Sequence, residues 1–283
     1  MLEGKTAIVT GGSKGIGFAI TEELSSLGAT VILCSRTEKE LNLAVDKLSN
    51  SKRKVFGIVA DVSQFTDCQR LSDYAYSLTG RIDILVNNAG IFGPVGLLET
   101  NDPEAWKKAL EINLLGAVYC SILVIPYMKK QGSGKIINLA GAGVGGVRSL
   151  PRFSAYYTSK AAVVSFTETL AVELEGENIQ VNAIAPGAVA SELMLSLLKM
   201  DQSQVGEDMY QTSKQLQNEG GTPPELAAKL VAFLASKNAN HITGRLLSAK
   251  WDPIEDLKDK SKFTQNSYRL RRVDNKMFYE TVI

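Results

Sequence analysis

The chain has a single histidine, His241, and three cysteines, Cys34, Cys68 and Cys120, among 283 residues. The histidine lies between Asn240 and Ile242 near a predicted strand, so neither a His-based triad nor a zinc site is expected. The cysteines are far apart, odd in number and set in apolar surroundings, so they read as small core residues of a cytosolic protein. An excess of one charge is also missing. With 31 basic against 30 acidic side chains the net charge is +1, which excludes the basic footprint of a nucleic-acid or anionic-membrane binder. No apolar run approaches the length needed to span a bilayer, and the N-terminus, MLEGKTAIVT, places an acid and a lysine before a strand-like run, unlike a signal peptide. The expected partner is a small molecule, with no nucleic acid and no membrane, and the expected location is cytoplasmic.

What is present is ordinary globular composition, 45% apolar and 22% charged, in a chain long enough for one α/β domain or two small ones. Short β-rich runs recur at Lys5 to Thr10, Thr30 to Ser35, Lys54 to Ala60, Ile82 to Asn87, Lys135 to Leu139, Ile179 to Ala185 and Gly244 to Ser248. Several are apolar nearly throughout, as parallel strands covered on both faces should be. With helical stretches between them they predict an α/β fold: a Rossmann-like, doubly wound, seven-stranded parallel sheet with helices on both faces.

Helix signals fit the gaps. Thr37 and Glu40 form a capping box ahead of Leu41, Ala44, Val45 and Leu48; Gly28 marks the end of the first helix; Asp102-Pro103 opens another. Without an internal repeat or a low-complexity linker, residues 1–248 read as one domain. Residues 249–283 are polar, yet carry Trp251, Phe263, Tyr268, Phe278 and Tyr279. They read as a C-terminal extension that is either partly ordered or, as so many aromatics favour, docked on its own domain or on a neighbouring subunit.

Thr10 to Gly17 reads TGGSKGIG, directly after the first strand and at the start of the first helix. Gly11 permits the tight turn, Gly15 admits backbone amides to a pyrophosphate, Gly17 lets the helix pack against the sheet, and the helix N-terminus favours the anion. A dinucleotide site for NAD holds the ribose 2′-hydroxyl with a carboxylate at the end of the second strand, whereas a 2′-phosphate needs a cation. The chain has Ser35-Arg36 there and Lys14 in the glycine loop. Two cations and no carboxylate favour NADP(H), with NAD(H) possible.

Tyr156 and Lys160 stand four residues apart, which places phenol and ammonium on one helix face. Tyr157 lacks such a partner, since its own fourth neighbour is Ala161, and reads as packing. A tyrosine titrates at roughly 10, too high for a base at neutral pH, and a nearby lysine charge would lower it.

The spacing Gly-x-x-x-Gly-x-Gly, followed in order by Asp61-Val62, Asn87-Asn88-Ala89-Gly90, Asn113, the Tyr156/Lys160 pair and Pro186-Gly187, resembles the short-chain dehydrogenase/reductase family from about Gly4 to Gly244. The resemblance implies an NAD(P)-dependent oxidoreductase interconverting a ketone and a secondary alcohol, with Tyr156 as general acid/base. It implies that Lys160 also holds the nicotinamide ribose and that Asn113 holds a water in the proton path. The implied cofactor contacts are Gly11, Ser13, Lys14, Gly15, Ile16, Gly17, Ser35, Arg36, Asp61, Val62, Asn88, Ala89, Gly90, Tyr156, Lys160, Pro186, Gly187, Val189 and Ser191. Asp61 and Val62 would border the adenine, and Pro186 to Val189 the carboxamide. Homodimers or homotetramers through the helices of Asn113 and Tyr156 are implied as well.

One element of the family pattern is absent. A serine ending the fifth strand normally bonds the reacting oxygen, but the matching positions are Ala140 and Gly141, in a stretch free of serine and threonine from Lys135 to Arg148. Losing one such donor costs about 10²- to 10³-fold in rate. Ser149, or Ser154 at the helix entrance, could replace it; a polyhydroxylated substrate could orient itself; or the chain is a non-catalytic NADP(H)-binding scaffold acting through its tail. Arg148, Arg152, Arg269, Arg271 and Arg272 suggest an anionic substrate, and the WDP segment after Lys250 faintly resembles members of this family in sugar metabolism. Met194, Leu195, Leu197 and Leu198 fall where a mobile lid is expected.

Overall fold

Seven parallel strands form one sheet in the order β3-β2-β1-β4-β5-β6-β7. The computed structural model describes residues 1–49, 53–141, 144 and 150–270. The strands are β1 (Thr6–Thr10), β2 (Thr30–Ser35), β3 (Val55–Val59), β4 (Ile84–Asn87), β5 (Gly134–Leu139), β6 (Ile179–Ala185) and β7 (Leu246–Ser248). Each matches a run expected from sequence to within two residues at either end: β2 and β6 agree fully, β1, β3, β4 and β7 are trimmed, and β5 begins one residue earlier. Helices α1 (Gly15–Ser26), α2 (Glu38–Leu48), α3 (Phe65–Thr79), α4 (Pro103–Leu110), α5 (Gly116–Lys130) and α6 (Ser154–Glu173) connect the first six strands. Between β6 and β7 lie α7 (Glu192–Leu195), α8 (Gln202–Val205), α9 (Glu207–Glu219) and α10 (Pro224–Ala235).

Alternation of side chains along each strand divides the core in two. Ala7, Val9, Val31, Val86 and Ile184 pack under α1 and α10, while Ile8, Ile32, Cys34, Leu85, Ile136 and Val181 pack under α3, α5 and α6. The three cysteines are free and buried in this second layer, as small core residues should be. Strand order reverses between β2-β1 and β1-β4, and that switch point opens a crevice beyond the carboxyl ends of β1 and β4.

Local signals held unevenly. Asp102 caps α4 by accepting from the amides of Glu104 (3.1 Å) and Ala105 (3.3 Å), with Pro103 in the first turn. Gly28 has φ +94° just after α1, a conformation glycine adopts at no steric cost. The capping box of α2 does not form: Thr37 makes no side-chain cap, and the Glu40 carboxylate pairs with Lys14 at 2.6 Å. The reading that no apolar stretch approaches bilayer length is also corrected. A π turn, Glu111–Leu115, joins α4 to α5 in one helix, Pro103–Lys130, that is long and apolar enough to cross a membrane. Here its inward face packs against α3, β4 and β5.

The described part of the C-terminal extension folds back on the same chain. Helix α11 (Ile254–Leu257) buries Leu257, whose carbonyl lies 3.0 Å from His241 Nε2. Phe263 packs between His241 and Tyr268, each with ring centroids 5.3 Å apart. The Leu246 amide donates to the Tyr268 carbonyl (2.7 Å) and Arg245 to that of Ser267 (2.6 Å). The extension therefore covers the free edge of β7, which would otherwise offer unpaired backbone groups. Trp251 takes no part and is 73% exposed. Phe278 and Tyr279 lie outside the described residues.

Candidate active site

The crevice begins at the turn between β1 and α1. Gly11 has φ +62°, and a Cβ there would stand 3.0 Å from Ala89 Cα. A Cβ on Gly17 would strike the Gly11 carbonyl oxygen at 2.2 Å and Asn88 Nδ2 at 2.4 Å, so this glycine packs on the turn and the β4 loop, not on the sheet as its place in the motif suggests. At Gly15 a Cβ would meet only Ser191 Cβ, at 3.5 Å, which leaves the space in front of it open. Helix α1 has no side-chain cap and no acid in its first turn. Its leading amides, over an open glycine cradle, suit the pyrophosphate of a dinucleotide.

Asn88 acts on the frame of the site. Its Nδ2 donates to the carbonyls of Thr10 (2.9 Å) and Gly11 (3.0 Å), and Thr10 Oγ1 accepts from the amides of Asn88 and Ala89. These bonds tie the ends of β1 and β4 together across the switch point.

On the α2 side, Ser35, Arg36, Asp61 and Val62 line a cavity of about 160 Å³ with Gly11, Ala89 and Gly90. Burial acts to raise the Asp61 pKa, but the hydroxyl (2.7 Å) and amide (3.0 Å) of Ser63 outweigh it and hold the carboxyl below its usual range. Arg36 is exposed and makes no ion pair among the described residues. The absence of a carboxylate expected from sequence does not hold: Glu40, one turn into α2, lines the same cavity and binds Lys14.

The larger part of the crevice, about 450 Å³, runs past Lys14, Gly15, Ile16, Gly17 and Asn88 to Tyr156, Lys160, Pro186 and Ser191. Ser13, Gly187 and Val189 do not line it. Gly187, at φ +86°, backs onto Thr222, Val189 is buried, and the Ser191 hydroxyl caps α7 by accepting from the Met194 amide (3.3 Å).

At the chemical end Lys160 is buried, with Nζ donating to the Leu139 carbonyl at 2.7 Å, and burial pushes its pKa down to about 8. Tyr156 rests against Phe92 (5.0 Å) and Tyr157 (5.8 Å) while facing the crevice. Burial, with Tyr157 beside it, raises its phenol further above the ordinary value, so Lys160 does not bring the phenol toward neutrality in the unliganded chain. The π turn presents Asn113 inward, where it accepts from the Ile91 amide (2.8 Å) and donates to the Ile91 carbonyl (2.8 Å) and Ser159 (2.9 Å). Gly90 fits between them: a Cβ there would be 3.2 Å from Asn113 Oδ1 and 3.4 Å from Lys160 Nζ.

At the positions matching the missing hydroxyl, Ala140 lines the crevice with Tyr156, and a Cβ on Gly141 would lie 2.7 Å from the Tyr156 phenol oxygen. Ser154 is engaged elsewhere, accepting from Trp106 Nε1 at 3.1 Å. Ser149 and Arg148 lie outside the described residues, as do Arg271 and Arg272. Arg269 sits beside Gly244, at the opposite end of β7 from the crevice. Above Tyr156, Phe92, Val95, Phe153, Met194, Leu197 and Val205 form an apolar roof, with Leu197 fully buried. The expected lid segment is thus packed down on this roof. Sequence reading missed Glu40 and Glu192, whose roles depend on two loops meeting over the glycine turn.

Fold and crevice define a nicotinamide-dinucleotide oxidoreductase of the Rossmann-like class. Residues 5–202 match the short chain dehydrogenase family profile. Dehydrogenase/reductase SDR family member 4 of Caenorhabditis elegans is 36% identical over 251 residues, 87% of this chain and 93% of the relative; the Homo sapiens protein of that name is 35% identical over 243 residues, 86% and 85% respectively. Among solved structures, levodione reductase superposes with a TM-score of 0.79 at 28% identity, covering 88% of this chain and 96% of its own. An actinorhodin polyketide ketoreductase variant with NADPH gives 0.78 at 29%, covering 88% and 97%. The chain belongs to the short-chain dehydrogenase/reductase family and is an NAD(P)-dependent oxidoreductase.

Proposed function

We propose that the protein reduces a ketone to a secondary alcohol, or the reverse, using NADP(H) in preference to NAD(H), with Tyr156 giving or taking the proton. The observation that carries this reading is the convergence of Tyr156 and Lys160 on one crevice with the glycine cradle. When bound, the nicotinamide supplies or accepts the hydride. The leading amides of α1 and the space at Gly15 would hold the pyrophosphate, Arg36 would meet an adenosine ribose phosphate, and Lys160 would bind the nicotinamide ribose.

A phenol with a raised pKa suits the reductive direction, since it stays protonated and donates to the carbonyl oxygen as charge develops there. The apolar roof excludes water from that oxygen and favours a substrate with an apolar flank over a sugar. Arg269, beside Gly244, gives an anionic substrate no support, whereas Arg152, next to Phe153 of the roof, still does.

The test is NADPH consumption across a panel of ketones, for the parent chain and Tyr156→Phe. The phenylalanine variant should lose about 10²- to 10⁴-fold in turnover while binding NADPH unchanged. Equal turnover would reject Tyr156 as the proton donor. The glycine at position 141 favours a second reading, a cofactor-binding scaffold, and NADPH binding without turnover on any ketone or alcohol would select it. A homo-oligomer is proposed on Ile122 of α5 and Val172 of α6, exposed by 52% and 64%, with sedimentation velocity as the check.

A further inference from the structure

Lys14 is held between two carboxylates that reach it from different walls of the crevice. Glu40 comes from α2, and its Oε1 lies 2.6 Å from Lys14 Nζ; Glu192 opens α7, and its Oε2 lies 2.6 Å from the same nitrogen. Together they keep the ammonium charged, with Glu192 the stronger influence on its pKa and Glu40 the second. Arg36 and Glu40 line both the smaller cavity and the main crevice, so the three charges of this chain and the free guanidinium meet where the two spaces join. Counted by side chain, two cations, Lys14 and Arg36, face Glu40 and Glu192 there, with Asp61 a third anion on the wall of the smaller cavity.

This balance differs from the one that two unopposed cations would give. A 2′-phosphate brings close to two negative charges to this junction and must share Lys14 with Glu40 and Glu192, which already engage two of its three N–H donors and repel the incoming anion. A ribose 2′-hydroxyl meets no such repulsion and offers Glu40 a hydrogen to accept. We infer that Glu40 and Glu192 are specificity-determining residues, which lower discrimination between NADP(H) and NAD(H) by occupying Lys14. The inference rests on the proposed reading of the crevice as a dinucleotide site with Arg36 near the adenosine ribose. Glu40 has the larger role, being 34% exposed where Glu192 is 72% exposed and better screened by solvent.

Dissociation constants for NADPH and NADH, measured by cofactor fluorescence on the full chain, test this without reference to turnover. The ratio of the NADH constant to the NADPH constant should rise about three- to fivefold in Glu40→Gln, and by less in Glu192→Gln, as expected for partly exposed ion pairs. In a Lys14→Met background neither substitution should move the ratio. An unchanged ratio in Glu40→Gln, or the same rise without Lys14, would overturn the inference while leaving the dinucleotide reading intact. Failure of the parent chain to bind either cofactor would overturn both. Glu192→Gln, on an exposed side chain, supplies the same comparison where Glu40→Gln perturbs α2.

Discussion

Two lysines at opposite ends of one crevice are tuned in opposite directions. Lys14 is 39% exposed with a carboxylate on each side, and its pKa is raised; Lys160 is 4% exposed with a single carbonyl partner, and its pKa falls to about 8. The first is a fixed charge suited to electrostatic recognition of a cofactor. The second titrates near neutrality and carries its positive charge at a cost the fold must offset. Paired charge in water sets binding at the adenosine end, and unpaired charge in a dry site sets chemistry at the other.

The largest test of that contrast is Lys160→Met. Turnover should fall by about 10²- to 10⁴-fold. Stability should move the other way at neutral pH. The folded pKa of about 8 lies below the ordinary lysine value of 10.5, so between them the unfolded chain binds the extra proton. Stability therefore rises with pH across that window, and the cost of burying the charge is fully present below about 8. A shift of that size corresponds to roughly 3 kcal/mol, against about 1 kcal/mol for leaving the Leu139 carbonyl without its donor. Lys160→Met should be more stable than the parent by about 1–2 kcal/mol at pH 7, with the gain vanishing towards pH 10, read by denaturant titration at both. Lys135 is pushed to about 8 as well, but it is common to both proteins and cancels. Lys14→Met should leave turnover at saturating cofactor near that of the parent. A stability gain there as large as at Lys160 would break the comparison.

Position 141 sharpens the chemical end. A methyl group placed 2.7 Å from the Tyr156 oxygen forces the phenol to move, so Gly141→Ala should lose about 1–3 kcal/mol of stability and most turnover. Gly141→Ser introduces the same crowding and adds a hydroxyl beside the reacting oxygen. Ketone reduction in the serine variant should exceed that in the alanine variant by about 10²-fold. Equal rates in the two would mean that no donor is required at that point, and that substrate or another residue already supplies one.

The sheet was legible almost to the residue, because parallel strands buried on both faces leave continuous apolar runs, and β2 and β6 end where the pattern ends. The glycine cradle was legible in part, since Gly11 and Gly15 act through positive φ at the turn, whereas Gly17 makes room for the Gly11 carbonyl and for Asn88 of the β4 loop. Roles that depend on what another loop brings were not. Glu40 reads as half of a capping box until Glu192 and Lys14 are seen beside it, and Asn113 proves to brace Ile91 and Ser159. The pKa of Tyr156 was misjudged in sign because helical spacing reports the neighbouring charge and is silent on the rings packed around the phenol.

The two helix caps give the smallest effect and the cleanest separation of local signal from tertiary context. Asp102 holds two amides at the start of α4, so Asp102→Ala should cost about 1 kcal/mol in a thermal or denaturant melt. Thr37 stands at an equivalent place before α2, yet makes no side-chain cap, and the glutamate that would complete its box is engaged by Lys14. Thr37→Ala should therefore cost no more than a few tenths of a kcal/mol, well under the usual loss for a capping threonine. If Lys14→Met releases Glu40 to the helix, the cost of Thr37→Ala should grow in that background, since the reciprocal bonds of the box become available. A cost near 1 kcal/mol with Lys14 still present would mean that the ion pair does not hold Glu40 away from its cap in solution. The adenosine end would then be governed by local helix signals after all, and its contrast with the buried lysine would rest on exposure alone.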